Sequence, residues 1–444
     1  MEFCCWFTFA EGATGLARQL HSSKVSRSLH TLGVVCGLAA GAWLGAAEAP
    51  TKLVTLGISP FIISLGMVAG VFVARWTVPT IMKGTEYVFI DLRDKSHLIV
   101  WAILAGALWA VANTLTVFAI RDVGLSIAFP LWNTNCLVGL FWGWFFFREL
   151  RGAGKKAQSK VLGGAIGIAG GAVLLAYASA SAPLSTSTRA SAGIVAALGA
   201  GLLWGTMYIP YRKAYLSGMN PLSFVTVFTV GELGTVAALA LVFRGGLHPV
   251  LMDLAKARPA LFWLFLGGFC WVLGDLFQQY AAKYIGIGRG IPLSNTNQLW
   301  GLAWGALVFS ELTGRGTAAQ VMVVAGSLVM ILGALAISSA AAPASEHVAW
   351  SEAIERECDR YGLDHDEVFR AQAGEDVMAS RAHGWRWWDL AIVATAVGIF
   401  VWLAHGTKRP PIELHPMWII VLLAATLSLL VAGAILLWKR TRFS

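Results

Sequence analysis

The chain has 444 residues, 57% of them hydrophobic and only 13% charged, with a formal net charge of +9. Soluble globular domains are about 45–50% apolar and about 25% charged, so this composition excludes an ordinary soluble domain and indicates a membrane protein. The positive charge does not indicate nucleic-acid binding, because most basic residues fall on one side of the predicted membrane segments, the bias that sets orientation.

Twelve apolar stretches follow one another along the chain, each about as long as a helix needs to cross ~30 Å of hydrocarbon. They lie at 31–49, 61–82, 98–120, 123–147, 161–180, 192–210, 222–243, 260–282, 288–309, 319–339, 388–404 and 416–438. Residues 1–30 lack the long apolar run of a signal peptide and are predicted to be a cytoplasmic tail. With most basic residues inside, both termini are predicted to be cytoplasmic, in a multi-pass protein of the plasma (inner) membrane.

One segment of the sequence occurs twice. PLWNTNCLVGLFWGWFFFREL at 130–150 returns as PLSNTNQLWGLAWGALVFSEL at 292–312, with 13 of 21 positions identical at a shift of 162. Glycine pairs of the form GxxxG, which let helices approach closely, recur at equivalent places: Gly41/Gly45 and Gly139/Gly143, then Gly201/Gly205 and Gly301/Gly305. Duplicated hydrophobic blocks of this length are typical of transporters built from structural repeats.

The duplication also predicts the architecture. Each copy holds five predicted helices, and because five is odd the second copy must enter the membrane inverted, with the substrate site at the interface. We predict an all-α polytopic membrane protein: a ten-helix bundle of two inverted five-helix repeats plus a C-terminal two-helix hairpin. The predicted segments are a tail at 1–30, a first repeat at 31–180, an outer linker at 181–191, a second repeat at 192–339, a charged cytoplasmic segment at 340–387, and a membrane hairpin with a basic tail at 388–444.

The charged segment has no counterpart in the duplication. Its residues 349–361 have helical periodicity, and Tyr361-Gly362 is a predicted helix end. We interpret the segment as a linker to a peripheral hairpin; a regulatory or partner-binding role is the alternative.

Asp275 lies deep in an apolar stretch, on one predicted helical face with Trp271, Gln278 and Gln279. A carboxylate at this depth costs ~2.5–3.5 kcal/mol on insertion scales, so it is expected to face a cavity and to have a function. We predict that Asp275 binds and releases a coupling proton. The alternative is a structural acid satisfied by a neighbouring helix.

Other charged residues in or beside the apolar stretches are further candidates. Glu48 and Glu232 are predicted to take part in proton coupling, and Arg75 could pair with one of the acids. Glu149 and Glu311 end their helices, where a carboxylate opposes the helix dipole, so each needs a partner. Arg289 could lie at the inner mouth or face the lipid.

The duplicated PLxNTN motif places polar side chains in the membrane. Pro130 and Pro292 are expected to start or break their helices, because proline lacks a backbone donor and clashes with the preceding turn. The asparagines that follow, with neighbouring tryptophans as flat surfaces, suit an uncharged polyhydroxylated ligand. Alternatively, the asparagines satisfy carbonyls that the prolines free, or they join helices to one another.

The sequences GAGLLWGTMYIPYRK at 199–213 and YIGIGRGIPLSNTNQLWGLAWGALVFSEL at 284–312, with their echoes in the first copy, resemble the drug/metabolite transporter superfamily. The resemblance is closest to its glucose, ribose and rhamnose uptake porters and covers about 31–340. It implies a central cavity that moves an uncharged sugar by alternating access, with a proton. In that family the first, third and fourth helices of each repeat line the cavity, and the matching positions here are Trp43, Glu48, Asn113, Asn133, Asn135, Trp204, Tyr208, Asp275, Asn295, Asn297 and Gln298.

We therefore predict a secondary active transporter that imports a small uncharged sugar or related polar metabolite with a proton. The sequence contains no HExxH, GxSxG or Walker A pattern, and no enzymatic activity, cofactor, metal or nucleic-acid partner is predicted. The predicted partners are the sugar, the proton and the lipid bilayer, and a homodimer is left open. The alternatives are an exporter or nucleotide-sugar exchanger on the same scaffold, disfavoured by the few deep basic residues, and a membrane sensor or scaffold that does not transport.

The predicted site residues fall into two groups. The predicted substrate contacts are Trp43, Asn113, Trp132, Asn133, Asn135, Trp204, Tyr208, Gln278, Asn295, Asn297, Gln298 and Trp300. The predicted proton-coupling residues are Asp275, Glu48 and Glu232.

Overall fold

The structure is a computed structural model that describes residues 28–52, 57–180, 184–314, 316–340, 344–382, 384–408 and 414–444. Within these ranges the chain is helical and contains no strand. Ten of the described helices are long and apolar enough to cross a membrane. The predicted all-α polytopic membrane fold is confirmed.

The first copy of the duplication forms eight helices. They are α1 (Ser28–Ala47), α2 (Ala49–Lys52), α3 (Pro60–Lys83), α4 (Thr85–Asp94), α5 (Ile99–Val123), α6 (Leu125–Trp132), α7 (Asn135–Phe146) and α8 (Lys155–Ala180). The second copy forms α9 (Leu184–Leu216), α10 (Pro221–Arg244), α11 (Leu247–Ile285), α12 (Ile287–Ser294), α13 (Asn297–Ala303) with a π turn at Trp304–Val308, and α14 (Thr317–Ser338). The remainder forms α15 (Ala344–Tyr361), α16 (His365–Gln372), α17 (Trp387–His405) and α18 (Pro416–Thr441).

Each predicted apolar stretch corresponds to one helix or to a broken pair, α6 with α7 and α12 with α13. Two boundaries differ from prediction: α9 begins at Leu184, inside the predicted linker, and α11 begins at Leu247 and runs through Pro259. Hydropathy locates the part of a helix that can sit in hydrocarbon, whereas backbone hydrogen bonds decide where the helix ends. The predicted helix end at Tyr361 is confirmed, since Gly362 follows it with φ +64°.

Each PLxNTN motif breaks its helix after the proline rather than at it. Pro130 lies inside α6 and Pro292 inside α12, and the helices resume at Asn135 and Asn297. A proline has helical φ itself and constrains the turn before it, so the chain can stay helical beyond it. At the breaks, the Thr134 hydroxyl donates to the Leu131 carbonyl, and the Thr296 hydroxyl donates to the Leu293 carbonyl, both at 2.8 Å. Threonines therefore bond the local backbone, which leaves the asparagine amides for other partners.

Glycines bring the two copies into close contact at these breaks. A Cβ added at Gly41 or Gly45 of α1 would overlap the break between α12 and α13. A Cβ at Gly201 or Gly205 of α9 would overlap the break between α6 and α7. The duplicated GxxxG pairs therefore pack the first helix of each copy against the broken helix of the other.

A second set of glycines sets the crossings of the longer helices. A Cβ at Gly268 of α11 would overlap the Met67 carbonyl of α3, and a Cβ at Gly106 of α5 would overlap the Phe228 carbonyl of α10. Gly106 and Gly268 are equivalent in the duplication, so the same close approach is used twice. These crossings hold α11 against α3 and α5 against α10.

We expect Gly268→Ala to lower the thermal stability of the purified protein in detergent. The new methyl group would meet backbone rather than a flexible side chain, and overpacking of this kind costs about 1–3 kcal/mol. Gly234→Ala in α10 is the matched control, because no atom lies within 4 Å of a Cβ there. Equal unfolding temperatures for the two variants would contradict the proposed close crossing.

Candidate functional site

The two helix breaks face each other and are joined by asparagine side chains. The Asn133 amide donates to Asn297 Oδ1 at 2.5 Å, and the equivalent Asn295 amide donates to Asn135 Oδ1 at 2.8 Å. Each of these amides also donates to the other motif's backbone, Asn295 to the Asn133 carbonyl at 2.7 Å and Asn133 to the Asn295 carbonyl at 3.5 Å. The contacts are reciprocal under the shift of 162, so the duplicated motif forms one hydrogen-bonded crossing between the copies.

A narrow cavity lies beside this asparagine crossing. Its volume is about 30 Å³, room for about two water molecules. Nine predicted site residues line it: Glu48, Trp132, Asn133, Asn135, Trp204, Tyr208, Gln278, Asn295 and Asn297. Leu44, Phe129, Met207 and Trp271 complete the wall and were not predicted as contacts. Trp271 was placed by the sequence only on the helical face of Asp275. The other three are apolar side chains of a kind common on every face of a membrane helix, so the sequence carries no signal for them.

The cavity wall combines aromatic rings with neutral amides. The rings of Trp132 and Trp204 meet edge to face with centroids 5.8 Å apart. The Asn135 amide donates to the Tyr208 hydroxyl at 3.2 Å, and the Gln278 amide donates to the Ser294 hydroxyl at 2.6 Å. Such a surface can exchange hydrogen bonds and stack on flat apolar faces without carrying a charge.

Glu48 is the only acid among the residues that line the cavity. It is 4% exposed. Within the described part of the chain, no hydrogen bond or ion pair reaches its carboxyl group. A buried acid without a partner is costly when ionised. This carboxyl group can therefore carry a proton or serve as a contact for a bound ligand.

Asp275 and Glu232 lie outside the cavity wall, in a cluster around Arg75. The Arg75 guanidinium contacts Asp275 at 2.7 Å and Glu232 at 3.2 Å, and all three side chains are fully buried. The Phe228 ring lies 4.1 Å from the guanidinium carbon. The Gln279 amide also donates to Asp275 at 2.8 Å. The sequence suggested that Arg75 pairs with Glu48 or Glu232; it contacts Glu232 and, in addition, Asp275.

The remaining predicted contacts have other partners. The Trp43 indole donates to the Cys270 carbonyl at 2.6 Å, and the Asn113 amide donates to the Ser64 hydroxyl at 3.0 Å. Gln298 is buried beside the break, and Trp300 packs over Gly45 of α1. None of the four is among the described residues that line the cavity.

Glu311 caps the N-terminus of α6, at one end of the broken helices. It follows α13 of the second copy, yet its carboxylate accepts hydrogen bonds from the backbone N–H groups of Leu125 at 3.2 Å and Ser126 at 2.8 Å, at the start of α6. A carboxylate at a helix N-terminus satisfies free donors and complements the dipole.

Glu149 caps a helix N-terminus in the same way, at the opposite end of the broken helices. It follows α7 of the first copy and accepts from the N–H groups of Ile287 at 3.2 Å and Gly288 at 2.8 Å, at the start of α12. The Arg212 guanidinium lies 3.5 Å from the same carboxylate. The partners that the two acids needed are therefore helix N-termini of the other copy, with an arginine in addition at Glu149.

Arg289 lies close to the Glu149 end and does not face lipid. It is buried and contacts Glu346 of α15 at 2.5 Å.

The described residues bring together no group of three His, Cys, Asp or Glu side chains that could hold a metal ion.

One protein family and several known proteins are similar in sequence to part of this chain. Residues 191–338 match the EamA-like transporter family. This segment is therefore an EamA-like domain of the drug/metabolite transporter superfamily, and that family is a family of transporters.

Two curated relatives are proteins named for sugar uptake in Streptococcus pyogenes serotypes M1 and M3, each 32% identical over 126 residues. The match covers 25% of this chain and 42% of each relative. A solved structure described as a crystal structure of a protein covers 70% of this chain and 99% of its own length, at a TM-score of 0.37 and 15% identity. That structural likeness is too low to support any conclusion.

Proposed function

We propose that the protein imports a small uncharged sugar or a related polar metabolite by alternating access, coupled to a proton. The observation that carries this proposal is the cavity at the asparagine crossing, where neutral amides and tryptophan rings from both copies meet. Relatives named for sugar uptake support the same substrate class.

The chemistry of the wall suits a sugar. Amide side chains donate and accept, which matches hydroxyl groups, and the Trp132 and Trp204 rings offer faces for the C–H side of a sugar ring. No arginine or lysine of the described chain lines the cavity. A nucleotide sugar would need such a residue to meet its phosphates, so the exchanger alternative is disfavoured.

Binding must rearrange the asparagine crossing, because a space for about two waters cannot hold a monosaccharide. We infer that sugar hydroxyls replace the bonds between Asn133 and Asn297 and between Asn295 and Asn135. We also infer that the two copies are inverted repeats, since their contacts are reciprocal. Alternating access then means that the Glu149 end and the Glu311 end open in turn, each by release of its helix cap.

We assign the coupling proton to Glu48 rather than to Asp275, the acid that the sequence favoured. Glu48 touches the cavity and lacks a partner among the described residues, whereas Asp275 already contacts Arg75. A proton on Glu48 would make the carboxyl group a hydrogen-bond donor to a sugar hydroxyl, which links its protonation to binding. Arg75 cannot neutralise both Asp275 and Glu232, so we infer that this pair holds one further proton.

The direct test is uptake of radiolabelled monosaccharides by the protein in liposomes. We expect uptake of at least one sugar, and we expect Trp204→Ala to reduce its rate about tenfold by removing one stacking surface. Trp402→Ala is the matched control, because Trp402 is exposed on α17. Failure of the folded wild-type protein to move any sugar, or equal rates in the two variants, would overturn the proposal.

A further inference from the structure

The segment interpreted from sequence as a linker covers the Glu149 end of the bundle. Its helices α15 and α16 bury Ile354, Cys358 and Val368 against Leu216 at the end of α9. A linker between domains would expose most of its surface, whereas this segment has an apolar underside that is packed on the transporter. The helices therefore form part of the folded unit at this end.

One residue of the segment joins the two copies. Glu346 accepts from Arg289 Nη2 at 2.5 Å and Nη1 at 3.3 Å, which ties it to α12 of the second copy. The same carboxylate accepts from the Leu150 N–H at 2.8 Å, which ties it to the chain that leaves α7 of the first copy. Opening at this end separates the end of α7 from the start of α12, so it must break the contacts of Glu346 together with the Glu149 cap.

Among the described residues, the Glu311 end has no pair equivalent to Arg289 and Glu346. The position equivalent to Arg289 at the shift of 162 is Ile127, a buried apolar residue of α6. The two ends share their Glu149 and Glu311 caps but differ in this arginine. The asymmetry indicates that the Arg289–Glu346 pair serves one end specifically, since a pair needed only for folding the repeat would be expected in both copies.

Further contacts hold the segment in place on α9. Lys213 contacts Glu357 at 2.8 Å, and the Gln372 side chain donates to the Tyr215 carbonyl. The Arg212 guanidinium, which also contacts Glu149, lies 4.7 Å from the Trp350 ring. The cap at Glu149 and the contacts of α15 therefore share one arginine.

We propose that residues 344–372 are a latch that keeps the Glu149 end closed, with Glu346 as the gate residue that this segment adds to the transporter. The latch proposal rests on the proposed alternating access, but the residues of the latch are separate from those that line the cavity. A signal or partner that displaces α15, or neutralises Glu346, would raise the fraction of molecules open at this end.

The test measures opening without any sugar. A cysteine introduced as Met207→Cys lines the cavity, and in a background with the native cysteines replaced its labelling rate by a thiol reagent in detergent reports opening. We expect Glu346→Gln to speed labelling about tenfold, in the range of ordinary coupling between sites. Glu352→Gln is the matched control, because in the described part of the chain the ion pair of Glu352 is with Arg356, an exposed residue of the same helix.

Three further variants test whether Glu346 acts through its pair with Arg289 and whether the latch matters if the buried variants do not fold. Arg289→Gln should speed labelling as much as Glu346→Gln, and the double variant should add little, because both remove the same pair. If these buried variants do not fold, Glu357→Gln at the edge of the latch should speed labelling by a smaller factor. Wild-type labelling rates in folded Glu346→Gln or Glu357→Gln protein would overturn the latch. A protein that labels as expected but moves no sugar would refute the proposed substrate and leave the latch standing.

Discussion

Arg75→Gln is expected to give the largest loss of stability of any single substitution in the membrane bundle. The guanidinium contacts Asp275 at 2.7 Å and Glu232 at 3.2 Å, and none of the three side chains is exposed. Removing one partner of a buried ion pair costs about 3–5 kcal/mol, because the remaining charge is left uncompensated. Here the negative charge that Asp275 and Glu232 share would lose its only described counter-ion, Arg75. Thermal unfolding of the purified protein in detergent measures the effect.

Two comparisons separate this charge effect from loss of packing. Asp275→Asn should cost less than Arg75→Gln, because Arg75 keeps Glu232 as its partner. The double variant Arg75→Gln with Asp275→Asn should be more stable than Arg75→Gln alone, because Glu232 can then hold the inferred proton and no unpaired charge remains. Arg356→Gln, at an exposed pair, should change little. Additive losses in the double variant would show that Arg75 acts through packing, for instance against Phe228, rather than through charge.

Glu48→Gln is expected to abolish the dependence of sugar uptake on an imposed proton gradient. Glutamine keeps the size and the hydrogen-bonding capacity of the side chain but cannot gain or lose a proton. Downhill uptake should persist, while accumulation driven by an inward proton gradient should fall to the level seen without a gradient. Radiolabelled uptake in liposomes, with and without the gradient, measures both quantities.

Asp275→Asn distinguishes the assignment made from the sequence from the one made here. If Glu48 carries the coupling proton, folded Asp275→Asn protein should retain gradient-driven accumulation. If Asp275 carries it, the two variants should exchange their behaviour. Glu355→Gln, at an exposed position of α15, controls for a general effect of removing a carboxylate.

The site residues that could be predicted best from the sequence are those of the duplicated motif. Asn133, Asn135, Asn295 and Asn297 stood out because a polar motif in an apolar stretch occurs twice, and the structure brings all four to one cavity. The order of hydrogen bonds could not be predicted, since it depends on how two helix breaks face each other. The same limit applied to Arg75 of α3, whose partners come from two other helices, Glu232 from α10 and Asp275 from α11.

Other features could not be predicted from the spacing of residues along the sequence. Asn113 matched the third-helix pattern of the resembled family, yet it bonds Ser64 of α3, because the α3–α5 contact offers a nearer partner. Glu149 and Glu311 looked unfavourable at their own helix ends, and only the fold supplies the N-termini that they cap. The role of Glu346 was hidden for the same reason: its partners are distant in sequence and belong to different copies.

The most direct test of proton-coupled sugar transport is to follow the luminal pH of liposomes that contain the protein and a trapped pH dye. A transported sugar is added outside with no pH gradient imposed. Symport predicts that the lumen becomes more acidic as sugar enters, and that Glu48→Gln removes this signal while sugar still enters. Sugar uptake by wild-type protein with no change in luminal pH would contradict the account.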